Sequence, residues 1–101
     1  MHQTNVWFVY MLRCGNGALY TGVTMDVHRR VAEHKAAGRR SARFTRSFAP
    51  VDLAYSCRVG PKRLAHRIEY RIKRLSREKK LVVVSKNLSK SNLMAFLGLT
   101  E

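Results

Sequence analysis

Acidic residues are scarce in this chain: six Asp and Glu face twenty Lys and Arg, a formal charge of +14 over 101 residues. An excess of that size is not needed for folding and adds self-repulsion, so it reads as the mark of a polyanionic partner. Nucleic acid is the expected partner. An anionic membrane surface fits less well, because the positive charge runs through every segment instead of one amphipathic stripe. Cysteine is nearly absent as well. Cys14 and Cys57 lie far apart in strand-like runs without metal-ligand spacing, and buried reduced thiols in a cytoplasmic protein are the expectation. Long hydrophobic runs are missing: Val6–Leu12 is cut off by Arg13. With no basic leader or small-residue cleavage site, neither a signal peptide nor a membrane span is expected. Repeats, linkers and low-complexity tracts are also lacking.

What is present suffices for one domain, residues 1–101, since a second core would fall below the size at which domains fold alone. Apolar residues make up 46% of the chain, which argues against disorder over most of its length. "VWFVYMLRC" (6–14) is rich in β-branched and aromatic residues and predicts a strand buried on both faces. "GNG" (15–17) is a tight-turn signal and "ALYTGV" (18–23) its hairpin partner. Thr24 and Asp26 are cap-type residues opening a helix over about Val27 to Ala37, with Gly38 as its stop. Residues 38–50 read as a long loop, and "VDLAYSCRV" (51–59) as a third strand. Gly60-Pro61 then opens a helix to about Leu75, with Pro61 at its first position. Ser76 caps a further helix (77–84), and Ser89 or Ser91 a last short one. The order β-β-α-β-α-α makes a small α/β sandwich.

Helical geometry sorts the cations. At roughly 100° per residue, with Val27 at zero, Arg30 falls at 300° and His34 at 340°, beside the apolar Val27–Val31 side; Arg29 falls at 200°. Arg30 is therefore the arginine held against the domain, where a fixed guanidinium can recognise phosphate. The plain alternative is a snorkelling arginine beside a half-buried histidine. In the second helix Leu64, Ile68, Ile72 and Leu75 form the apolar stripe, with Glu69 at its edge and Lys73 nearby.

If a metal is bound, only six carboxylate side chains can serve. Asp26 and Glu78 stand at helix starts, Glu33 faces outward, Asp52 precedes the third strand proper, and Glu101 is terminal. Glu69 is the acid on a rigid element at the rim of the core, among cations. Such a carboxylate stays ionised and suits Mg2+, which takes oxygen ligands and keeps several waters. The alternative is a simple Glu69–Lys73 surface pair. Tyr10 and Tyr20 sit on paired strands within reach of the next helix, and either packing or chemistry explains them. Gly22 weakens a strand and is best explained by a close backbone approach.

A tyrosine in the first strand, tyrosine and glycine in the second, arginine in the next helix and glutamate in the following one resemble the GIY-YIG nuclease family. Phe8-Val9-Tyr10 stands where the family has its first triplet, and Tyr20-Thr21-Gly22 its second. The steps Tyr10 to Tyr20 and Tyr20 to Arg30 fit the pattern, as do Arg30 followed by His34 and Glu69 followed by Lys73. The likeness covers about residues 5 to 80, leaving 81–101 as a C-terminal helical extension, and is greatest to the small stand-alone subfamily with a basic loop after the first helix. It implies a three-stranded antiparallel sheet flanked by helices and a Mg2+- or Mn2+-dependent endonuclease acting on DNA. Glu69 would hold the metal, Arg30 would clamp the phosphate, and Tyr10 or Tyr20 would take the water's proton, with His34 relaying or orienting. Only the tyrosines and the glycine of the name triplets are kept. Some relatives use an asparagine about twelve residues beyond the glutamate, but position 81 here is Leu, so that role is absent or passes to Asn87 or Asn92.

The stretch 38–49 carries Arg39, Arg40, Arg43 and Arg46, interleaved with Phe44 and Phe48, and no acid. Cations that track a backbone and aromatics that stack bases suit single-stranded DNA. Lys79, Lys80, Lys86 and Lys90 extend that surface or are simply solvated. The rivals are a non-catalytic nucleic-acid-binding module on the same fold and a basic adaptor for an acidic protein. No obligate protein partner is expected.

Overall fold

The computed structural model describes residues 5–40 and 51–100. In chain order these form β1 (Trp7–Cys14), β2 (Leu19–Thr24), α1 (Val27–Arg40), β3 (Val51–Gly60), α2 (Lys62–Lys73), α3 (Arg77–Lys86) and α4 (Lys90–Leu97). The three strands make one antiparallel sheet in the order β2-β1-β3. As the central strand, β1 is covered on both sides, which is why it is apolar without alternation. Val9 and Met11 are fully buried on one face, and Tyr10 and Leu12 are 1% exposed on the other. The hairpin turns on Gly17 at φ 88°, a left-handed conformation that glycine adopts without strain. Asn16 Oδ1 accepts from the Ala18 amide at 3.0 Å within the turn.

The helix starts are set locally. Asp26 Oδ1 accepts from the Arg29 amide, Ser76 Oγ from Lys79 and Ser89 Oγ from Asn92, all at 3.1–3.2 Å. Each bond satisfies one of the amides that a helix start leaves without an intrahelical partner. Ser89, not Ser91, caps α4. Four boundaries differ from expectation, one of them the end of α2, which stops at Lys73 and not near Leu75. α1 runs through Gly38 to Arg40, because an internal glycine costs a helix only about 1 kcal/mol. Pro61 is the N-cap of α2, with extended backbone (φ −63°, ψ 139°), and not its first helical residue. α3 continues two residues past 84 until Asn87 stops it in the left-handed region at φ 48°.

α2, α3 and α4 supply Ala65, Ile68, Ile72, Val83, Leu93, Met94 and Leu97 to one core with Val9, Met11, Tyr55, Cys57 and Val59 of the sheet. Two part-buried bonds tie the C-terminal helices to the rest. Tyr55 donates its hydroxyl to the Leu88 carbonyl at 2.6 Å, and Arg71 donates to the Leu97 carbonyl at 2.9 Å. α1 lies against the opposite sheet face. There the strand register places Tyr10 opposite Gly22, and Leu12 opposite Tyr20, on the same side. Cys14 and Cys57 are free and buried, and burial raises both thiol pKa values.

Candidate active site

Everything begins with the Tyr10–Gly22 pair. A Cβ placed on Gly22 would lie 2.6 Å from the Tyr10 hydroxyl oxygen and 2.7 Å from Cζ. The missing side chain lets the Tyr10 ring lie across the neighbouring strand, so the close approach that Gly22 permits is to this tyrosine. From there the hydroxyl meets Nε2 of His34 on α1 at 3.2 Å. The His34 ring also stands edge-on to Tyr20, with centroids 5.2 Å apart, and Tyr20 lies 6.4 Å from Tyr10. Burial, and then the Arg30 charge, lowers the His34 pKa from its ordinary 6.5. The imidazole is therefore neutral at pH 7 and has a lone pair to offer. Burial pushes the Tyr10 pKa up, a hydrogen bond from Arg30 pulls it down, and the Glu69 charge reaches the hydroxyl and adds to the rise.

Arg30 and Arg29 diverge as the helical angles predict: Arg29 is 75% exposed and Arg30 42%. Both are nevertheless caught by Glu33, at 3.2 and 3.0 Å. Glu33 was expected only to face outward. It does so, yet the long arginine side chains reach it across one turn, and they hold its carboxyl below the usual range. On α2, Glu69 is 17% exposed at the side chain and lies 3.1 Å from Lys73 Nζ and 3.3 Å from His66 Nδ1. The ion pair with Lys73 is thus present, and the carboxylate that forms it is largely withdrawn from solvent. His66 went unremarked in the sequence, although its spacing three before Glu69 is a signal for contact. Among the described residues no three His, Cys, Asp or Glu side chains gather as a metal cage. One carboxylate completed by waters and phosphate oxygens suits Mg2+ or Mn2+ and not zinc, which takes three or four protein ligands.

Tyr10, Tyr20, Arg30 and His34 thus gather on the α1 face, and the Glu69 charge acts weakly on the Tyr10 hydroxyl from α2. Residues 6–81 match the GIY-YIG catalytic domain. The chain belongs to the GIY-YIG family. A UPF0213 protein of Citrobacter koseri is 40% identical over 91 residues, 90% of this chain and 89% of that one. Another, from Serratia liquefaciens, is 46% identical over 74 residues, 73% of this chain and 71% of the relative. The solution NMR structure of a UPF0213 protein from Bacillus halodurans is similar at a TM-score of 0.54 and 37% identity, covering 94% of this chain and 99% of the other. This GIY-YIG protein therefore stands among the small UPF0213 proteins.

Other sequence-selected residues lie elsewhere or outside view. Arg39 and Arg40 belong to the last turn of α1 and not to a loop, while Arg43, Phe44, Arg46 and Phe48 lie outside the described residues. Asn87 is exposed and spent on capping α3. Asn92 is exposed in the first turn of α4, where its amide bonds to Ser89. No helix among the described residues is long and apolar enough to cross a membrane.

Proposed function

We propose that this GIY-YIG protein is a metal-dependent endonuclease that hydrolyses DNA phosphodiester bonds and favours single strands. The observation that carries this reading is the hydrogen bond between the buried Tyr10 hydroxyl and a neutral His34, set beside Arg30 and within charge reach of Glu69. A packing tyrosine needs only a fixed acceptor, whereas this one meets a titratable base next to a phosphate-binding cation. Tyr20 is half-buried and Tyr10 only 1% exposed, so Tyr20 is the hydroxyl open to an attacking water. Its oxygen accepts the water's proton as its own is released toward the His34 ring packed edge-on against it, where Nδ1 is the acceptor because Nε2 bonds Tyr10. Arg30 clamps the phosphate and meets the charge that develops on it. Glu69 would hold a Mg2+ or Mn2+, which when bound neutralises the phosphate and stabilises the leaving oxygen.

One observation favours the rival reading of a binding module without turnover: both Glu69 oxygens already have partners, Oε1 in His66 and Oε2 in Lys73. The deciding experiment is an assay of labelled single-stranded and duplex DNA with Mg2+, with Mn2+ and with excess EDTA. Cleavage that needs the cation and is faster on single strands supports the proposal. Binding without cleavage in any metal selects the module, and undiminished cleavage in EDTA rejects the role of the cation.

A further inference from the structure

Beside Arg30 the surface opens into a groove of about 410 Å3, within the size range of small-molecule clefts, about 300–1,000 Å3. Its floor is apolar: Trp7, Val23 and Met25, the last 51% exposed. Its rim carries two arginines, Arg29 and Arg30, and two carboxylates, Asp26 and Glu33, of which Glu33 is paired with both arginines. Trp7 also connects this groove to the other half of the site. Its ring lies 6.0 Å from that of His66, which bonds Glu69, and the Lys62 ammonium sits 5.3 Å from the indole centroid. Trp7 therefore lies between the arginine and the glutamate assigned to the scissile phosphate.

We infer that this groove is a nucleobase subsite, in which Trp7 and Met25 stack the base next to the phosphate to be cut. The inference rests on the nucleic-acid reading above and extends it to a substrate contact. The rim sets acceptors on Asp26 and Glu33 beside donors on Arg29 and Arg30, a mixture that matches the amino and carbonyl edges of a base, while the apolar floor matches its face. An indole and a thioether give the polarizable surface that stacking on any base requires, which makes the subsite tolerant of sequence. A base can enter only when it is unpaired and free to turn out, which gives a physical origin for preference toward single strands.

Trp7 is the sole tryptophan, so its emission reports on the groove directly. Full-length protein in EDTA is titrated with a single-stranded oligonucleotide, and binding is followed in parallel by anisotropy of a labelled copy. Quenching of the tryptophan emission that saturates with binding is expected. Trp7→Ala and Met25→Ala should each weaken binding roughly 5- to 150-fold, the equivalent of one lost stack, and Trp7→Phe should restore most of the loss. A second arm changes the DNA and leaves the protein intact: a single abasic residue moved along the strand should slow cleavage by a similar factor only where it adjoins the cut bond. Unchanged emission on demonstrated binding, or indifference to abasic residues, overturns the subsite and leaves the nuclease reading standing. Quenching without cleavage in any metal keeps the subsite and removes the nuclease. Failure to bind any oligonucleotide overturns both.

Discussion

The two faces of the sheet each bury one tyrosine, on neighbouring strands, and the two hydroxyls meet opposite fates. Tyr55 is 3% exposed on the face covered by α2, α3 and α4, and donates to the fixed Leu88 carbonyl at 2.6 Å. Its pKa is raised, chiefly by burial. Tyr10 is 1% exposed on the α1 face, where its hydroxyl meets His34 and Arg30. A backbone carbonyl can only hold a proton in place, whereas an imidazole can take it. Depth of burial is similar on both sides, so what separates the two tyrosines is the partner that the covering segment brings: a fixed carbonyl anchors Tyr55, whereas a titratable imidazole meets Tyr10. The difference also explains how a domain of this size carries a polar site. The apolar packing is concentrated on one face, which leaves α1 free to present arginine and histidine to the other.

If the chemistry belongs to the α1 face and its α2 rim, the largest effects should come from that edge. Glu69→Gln and Arg30→Ala should each lower turnover by at least about 100-fold, the scale of losing one transition-state electrostatic contact, while Arg29→Ala keeps most of it. Single-turnover cleavage measures this, and equal losses for the two arginines would erase the distinction between the helix sides. Glu69→Gln should bind single-stranded DNA in EDTA at least as well as the parent, since a negative charge leaves a cationic groove.

The tyrosines themselves give the next contrast. Tyr10→Phe should reduce cleavage about 10- to 100-fold at modest loss of stability. Tyr55→Phe should leave cleavage unchanged and cost about 1–3 kcal/mol in urea unfolding, because it strands the Leu88 carbonyl. A reversal of the two phenotypes would refute the comparison. Gly22→Ala sharpens it further: the added methyl displaces the Tyr10 ring, which should cost about 1–3 kcal/mol and part of the activity. Normal cleavage in that variant would show that the position of Tyr10 does not matter.

The smallest expected effect is a pH dependence. Because the His34 pKa is lowered in the fold, the unfolded chain takes up this proton first as pH falls. The contribution of neutral His34 to stability is present above its ordinary 6.5 and is lost as pH falls through the lower folded value. Cleavage that requires neutral His34 should hold through that interval and fall only as pH passes the lower folded value. His34→Gln should flatten both profiles, and a retained acid limb would assign it to another group.

Local features were legible in the sequence because they depend on neighbours in the chain. Asp26, Ser76 and Ser89 cap helices with bonds spanning three residues, and the apolar run of β1 marked a strand buried on both faces. Gly38 misled because glycine is permitted at a helix end without requiring one. Glu33 was placed correctly in direction but not in reach, since helical angles locate Cβ atoms and say little about where an arginine side chain ends. By itself the sequence determined the strands and helices, the cationic character and the spacing of the five site residues, all properties of short stretches or sums over the chain. Only the tertiary structure decided that Gly22 lies under the Tyr10 ring, that Tyr20 stays half-buried while Tyr10 is sealed, and that Trp7 lines a groove with Arg30 while its ring meets His66. Each of these depends on strand register and on which helix covers which face, and both are set by burying the whole apolar surface at once.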